Sequence, residues 1–245
     1  MVSADVSNRY IHHRMLGYTV GLILHVTNVY NMIVFYKGDV LKDPDVKRFH
    51  NNQFRFLTIW NVYMQVMYMA LGLSCDVLTL TNQGKDSSLL KSLKTIRDPL
   101  FSNIVLPISV TVSLSFWTIF SYDRALILPP SVDKTITPIS NHIMHTYIVP
   151  IALWELLFRP RKRPDTHLAN LLMLNLYAAF YLVVIVVGYL EQGLWVYPIL
   201  DKLHGTIYFY LFIASAVIMT NTFYNLQWYL TDLIWSDSEN RKKVQ

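Results

Sequence analysis

Residues 168–190 read LANLLMLNLYAAFYLVVIVVGYL, a run of 23 positions without a charged side chain. At 1.5 Å rise per residue it makes a helix about 35 Å long, enough to cross the roughly 30 Å hydrocarbon core of a bilayer. Five more apolar runs lie along the chain: Leu16–Tyr36, Phe54–Leu80, Leu100–Tyr122 with Pro107 inside, Ile139–Phe158 with Pro150 inside, and Thr206–Leu230. The run at 139–158 is the most polar, carrying Asn141, His142, His145 and Glu155. The expected fold is all-α: a polytopic membrane protein with six transmembrane helices in one bundle, a single domain over residues 1–245.

Composition agrees. The 245 residues are 53% hydrophobic and 15% charged, with mean hydropathy +0.31, whereas a soluble domain carries about 25% charged residues. The net charge of +5 and pI near 9.2 do not indicate nucleic acid as a partner. The Lys and Arg residues fall in short clusters between apolar runs, as in Arg159-Pro-Arg-Lys-Arg-Pro164, which is where membrane loops carry them. The one cysteine, Cys75, permits no intramolecular disulfide. Arg9, His12, His13 and Arg14 precede the first run, and no small-residue cleavage site follows it, so that run reads as a signal anchor.

Counting Lys and Arg by face gives 13 on the side of the termini and 8 on the other, which places both termini in the cytosol. The first loop, with Lys37, Lys42, Lys47, Arg48 and Arg55, pulls the other way. The membrane is that of the endoplasmic reticulum or the cell surface. Gln83–Asp98 reads as a polar connection with a short interfacial helix, and Arg241–Lys243 as a basic stop signal.

Which loops share a face does not depend on orientation. Thr58 lies about four residues inside the second run, roughly 6 Å deep, and His145 about six residues inside the fourth, roughly 9 Å deep from the same face. Asp123 and Arg124 leave the third run there, and Trp195 lies in the fifth loop on that side. Thr58, His145, Asp123, Arg124, Asn141, His142 and Trp195 are thus available to one cavity.

Singly, each has a plain structural reading. A membrane Thr commonly bonds a carbonyl of its own helix. Asp123-Arg124 suits a helix cap, Trp195 and Tyr197 an interfacial belt, and Glu155 a pair with Arg159 one turn on. Ionisable groups inside spans are costly, however, and by default mark function. A hydroxyl and an imidazole at one depth can make a hydrolase. The chain has no Gly-x-Ser-x-Gly elbow and no phosphate-cradling glycine loop, which disfavours the usual serine hydrolases and nucleotide enzymes. His142 and His145 share a helix face, but the other six histidines form no further paired motif and fall on both faces. No metal and no cofactor is expected.

Four strings in order, Phe56-Leu-Thr-Ile-Trp-Asn61, Ser115-Phe-Trp117 with Tyr122-Asp-Arg124, Asn141-His-Ile-Met-His-Thr146 and Trp195-Val-Tyr-Pro198, resemble the androgen-induced protein / androgen-dependent TFPI-regulating protein family. The resemblance covers about Gln53 to Leu230. It implies a six-span membrane hydrolase of fatty acid esters of hydroxy fatty acids, taking its lipid ester from the bilayer, with Thr58 as nucleophile and His145, not His142, as the essential histidine. Around them Asp123 or Asn141 is a candidate to orient His145. Asn61 and Asn141 are candidate oxyanion donors, and His142 and Trp195 candidate neighbours of the substrate. The alternative is a non-catalytic membrane lipid-binding or transport protein.

Overall fold

The computed structural model describes residues 8–35, 38–81 and 87–243, with side chains as far as residue 235. Among them no strand occurs. The helices are α1 (Ile11–Phe35), α2 (Pro44–Asn51), α3 (Leu57–Thr81), α4 (Ser88–Leu100), α5 (Leu106–Asp123), α6 (Pro138–His145), α7 (Ile148–Phe158), α8 (Leu168–Gln192), α9 (Pro198–Leu203) and α10 (Ile207–Lys243).

Five segments are long and apolar enough to cross a membrane: Ile11–Phe35, Leu57–Thr81, Ser88–Leu126, Leu168–Gln192 and Ile207–Trp235. The expectation of six continuous spans is corrected at the fourth, because residues 139–158 form two helices. The cause is Pro150. It has no N–H for the Thr146 carbonyl one turn back, and its ring crowds that turn. The chain unwinds there: the amides of Thr146 and Tyr147 both reach the His142 carbonyl, at 2.8 and 2.9 Å, and the Thr146 carbonyl is met only by Val149 N at 3.2 Å.

Pro107 acts on the third span differently. A π-turn at Phe101–Val105, closed by the Leu106 amide on the Phe101 carbonyl, takes up one extra residue and lets α4 run on into α5. The helix that leads into the third span begins within Gln83–Asp98, where a short helix was expected. Residues from Ser88 are already helical, and Ser87 Oγ caps them by accepting from Leu90 N at 3.2 Å. Residues 82–86 of the expected polar connection and Lys37 of the first loop lie outside the described residues, as do the side chains of Arg241–Lys243.

The bundle has two unlike ends. At one, buried charges interlock. Arg14 donates from Nε and Nη2 to the two Asp76 carboxylate oxygens, at 2.8 and 2.9 Å. Arg159 reaches Asp76 at 3.1 Å and Glu155 at 2.7 Å, and Arg161 reaches Glu155 at 2.6 Å. Tyr10 packs on Trp235 at 6.0 Å between ring centroids, so the beginning of α1 and the far part of α10 meet at this end. At the other end α2 and the loops form a cap. Arg55 pairs with Glu191, Asn52 exchanges amide hydrogen bonds with Gln192 at 3.0 and 2.8 Å, and Lys134 reaches Asp43 at 2.6 Å. α8 ends under the cap at Gly193, whose left-handed φ of 69° lets its amide close on the Tyr189 carbonyl at 2.7 Å.

Between the ends α1 and α3 pack closely. A Cβ at Gly72 would lie 2.6 Å from the Tyr18 ring, so glycine there lets α1 and α3 approach. The outer face of α8 exposes Leu172, Leu176, Phe180, Val183, Val187 and Leu190 at helical spacing, a stripe that suits lipid and not water.

Candidate active site

Beneath the cap a cavity of about 400 Å³ opens between α3, α5, α6, α8 and α10. Its wall is almost wholly apolar, with Ile108, Val112, Phe116, Leu182 and Ile213 among its residues. Thr58 and His145 both lie on that wall.

Thr58 stands in the first turn of α3. His145 is the last residue of α6, a short helix that Thr137 caps through Ser140 N at 3.1 Å, with Pro138 at its first position. The unwinding before Pro150 leaves the imidazole at the helix end, beside Thr58. Thr58 Oγ1 lies 3.1 Å from His145 Nε2. The other ring nitrogen, Nδ1, faces the Asn141 main-chain carbonyl at 3.0 Å and Asn141 Oδ1 at 2.8 Å. A main-chain carbonyl only accepts, so Nδ1 carries the hydrogen, and Nε2 keeps a lone pair towards the Thr58 hydroxyl. Phe116 stacks on the ring, 3.5 Å between centroids and 10° between planes. The imidazole is 5% exposed and held by Asn141 and Phe116, while Thr58 is half-buried and open to the cavity. A hydroxyl beside an imidazole lone pair, with an acceptor on the other ring nitrogen, is an arrangement that nucleophilic catalysis can use.

The structure brings Thr58, His145 and Asn141 together. The other expected residues stand apart. Asn61 is buried one turn after Thr58, and its Oδ1 accepts from Ser109 Oγ at 2.9 Å. It belongs to the core network and not to the cavity wall. His142 is exposed, stacks on Trp117 at 5.1 Å and meets Thr146 Oγ1 at 3.0 Å. Asp123 caps its own turn by accepting from Ala125 N at 3.0 Å, and Arg124 pairs with Asp133 at 2.5 Å. Trp195 is buried against Tyr189 at 4.4 Å. Among the described residues no three His, Cys, Asp or Glu side chains converge as a metal site would require.

Sequence reasoning missed Tyr181 and took Tyr197 only for an interfacial belt residue. Their hydroxyl oxygens meet at 2.9 Å and lie 3.1 and 3.0 Å from the Leu57 amide, and Tyr181 donates to the Arg55 carbonyl at 3.1 Å. This clasp fixes the turn that leads into Thr58. Burial pushes the Tyr197 hydroxyl pKa up, so it remains a neutral hydrogen-bonding group. The signal for Tyr197 was Trp195-Val-Tyr-Pro198, read as an interfacial aromatic belt; Tyr181 had none. Phe116 was within reach, since Ser115-Phe-Trp117 sits about two turns before the exit of its span.

Residues 19–229 match the family model described as FAR-17a/AIG1-like protein. Human androgen-dependent TFPI-regulating protein is 33% identical over 211 residues, which cover 83% of this chain and 90% of that one. Human androgen-induced gene 1 protein is 26% identical over 198 residues, 79% and 82% of the two chains. A protein of Schizosaccharomyces pombe named as a UPF0641 membrane protein is 28% identical over 194 residues, 76% and 81%. No solved structure matches.

Proposed function

The chain belongs to the FAR-17a/AIG1-like protein family, and on that premise we propose that it is an intramembrane ester hydrolase with Thr58 as nucleophile and His145 as general base. The observation that carries this reading is the 3.1 Å contact between Thr58 Oγ1 and His145 Nε2 on the wall of an apolar cavity. Nε2 takes the hydroxyl proton as Oγ1 attacks the ester carbonyl carbon. The tetrahedral intermediate collapses, the C–O bond to the alcohol breaks, and His145 gives its proton to the departing oxygen. Water, deprotonated by His145, then attacks the threonyl ester. The acid leaves and Oγ1 recovers its proton. Asn141 keeps the imidazole in the tautomer that both steps use.

The substrate is a lipid ester drawn from the bilayer, of the class that the family resemblance implies: fatty acid esters of hydroxy fatty acids. A cavity of about 400 Å³ with an apolar wall suits acyl chains and excludes bulk water from the carbonyl. In this reading α6 and α7 cross the membrane together as the fourth of six spans, broken in the middle. His145 meets the first turn of α3, while Arg159, just after α7, meets Asp76 near its end, so the pair runs the depth that α3 runs. The cytosolic side for both termini follows from the Lys and Arg balance alone.

The test is mass spectrometry of the purified protein after reaction with a fluorophosphonate. An adduct on Thr58 that disappears in His145→Ala establishes an activated threonine. A folded protein that takes no adduct is instead a lipid-binding or transport protein.

A further inference from the structure

We propose that a second, smaller chamber in the cap is a carboxylate port, in which Arg48 receives the acid released in the cavity; this rests on the hydrolase reading above. The chamber measures about 170 Å³ and is lined by Asp45, Arg48, Asn52 and Ser131, among others. Phe49, Phe56 and Ile127 belong to its wall and to that of the large cavity. The Phe49 and Phe56 rings stack at 4.6 Å. Arg48 precedes Phe49, and Thr58 follows Phe56 by two residues, so the aromatic pair is the partition between guanidinium and nucleophile.

Arg48 differs from three neighbouring cap cations. Arg55 pairs with Glu191, Arg124 with Asp133 and Lys134 with Asp43. Arg48 donates to the Trp195 carbonyl at 3.1 Å and has no carboxylate partner among the described residues. A guanidinium carries five N–H donors in a planar fork that matches a carboxylate. On the chamber wall Ser131 Oγ is buried without a partner.

The chemistry requires such a place. Ester hydrolysis frees the acyl chain's carboxylic acid, in addition to the carboxyl the hydroxy acid already carries, into an apolar cavity where the ionised form is strongly disfavoured. The acid ionises where a cation and water meet it, and the chamber across the phenylalanine pair supplies the cation. Asp45 lines the same chamber and opposes an anion. It limits how tightly the acid is held, as release demands.

The test is binding of oleic acid and methyl oleate to the full-length protein in detergent micelles at pH 8, by competition with a fluorescent fatty acid. The wild type should bind the acid about tenfold more tightly than the ester, the scale of a hydrogen-bonded ion contact. Arg48→Gln should bring the acid down to the level of the ester and leave ester binding as it was. Arg48→Lys should keep part of the preference. Equal binding of the two by the wild type, a preference that survives Arg48→Gln, or equal weakening of both ligands in that variant overturns the port. Ester turnover by the wild type and Thr58→Ala, measured alongside, judges the hydrolase reading separately.

Discussion

The two acceptors beside Nδ1 of His145 are not equivalent. Asn141 Oδ1, at 2.8 Å, is a side chain and can be removed; the Asn141 carbonyl, at 3.0 Å, is main chain and cannot. Asn141→Ala therefore leaves the tautomer intact and loosens only the aim of the ring. Its cost is one hydrogen bond, about 1–1.5 kcal/mol, or about tenfold in kcat. On the proposed mechanism Thr58→Ala removes the attacking oxygen and should lower kcat at least about a hundredfold, while Thr58→Ser should retain turnover. Steady-state hydrolysis of a long-chain ester by the three purified variants checks the ranking. An Asn141→Ala loss as deep as that of Thr58→Ala would show that the side chain does more than aim the base. The Thr58–His145 pair could be read from sequence because helix rise converts residue counts into depth. Aim could not. Asp123 has the right depth, yet it turns to its own Ala125 amide, a local cap geometry that no count of residues reveals.

Pro150 was visible in the sequence, but its consequence was not. A proline inside an apolar run either kinks a helix or breaks it, and neighbouring packing decides which. Pro107 is absorbed by a π-turn, whereas Pro150 ends α6 at His145. Replacing Pro150 with Ala restores an amide for the Thr146 carbonyl and favours one continuous helix. That rewinding should turn His145 away from Thr58. Activity should fall at least about tenfold, as expected for about an ångström of misplacement, while the melting temperature stays level or rises. A variant that keeps full activity would show that the break does not position the base.

α3 carries a second feature that the sequence concealed. Thr58, Asn61, Gln65, Tyr68 and Asp76 follow helical spacing, and all but Thr58 are fully buried. Gln65 is the hub. It meets His25 Nε2, Ser109 Oγ and the Ile148 carbonyl, each at 2.8 Å. Gln65→Leu removes all three bonds and takes from His25 Nε2 its partner, while Ser109 Oγ keeps its bond to Asn61. At about 0.6–1 kcal/mol per interhelical bond, the loss is about 2 kcal/mol, readable as a lower melting temperature in detergent. No change in melting would mean that the partners find each other without it.

Across the whole molecule, the Thr58–His145 pair and the buried ion cluster are kept at opposite ends. From Thr58 to Asp76 along α3 is about 27 Å, close to the thickness of a bilayer core. Glu155 with Arg159, and the remoteness of Asp76 from His145, were legible in sequence because helix spacing fixes them. The meeting of Arg14 with Asp76 was not, since 62 residues separate them and Arg14 reads equally well as a solvated anchor. In the fold it is 1% exposed, and Asp76 holds it together with Arg159. Asp76→Asn leaves two buried guanidinium groups without that carboxylate, a cost of about 3–5 kcal/mol. The melting temperature should drop markedly. The cavity end should be indifferent: molecules that remain folded, counted by fluorophosphonate labelling, should turn over ester within about twofold of the wild type, since sites this far apart without shared partners act independently. Melting and turnover per labelled molecule must be measured on the same preparation. A loss of turnover with melting unchanged would mean that the ion cluster reaches the nucleophile through the bundle, and that the two ends are one device.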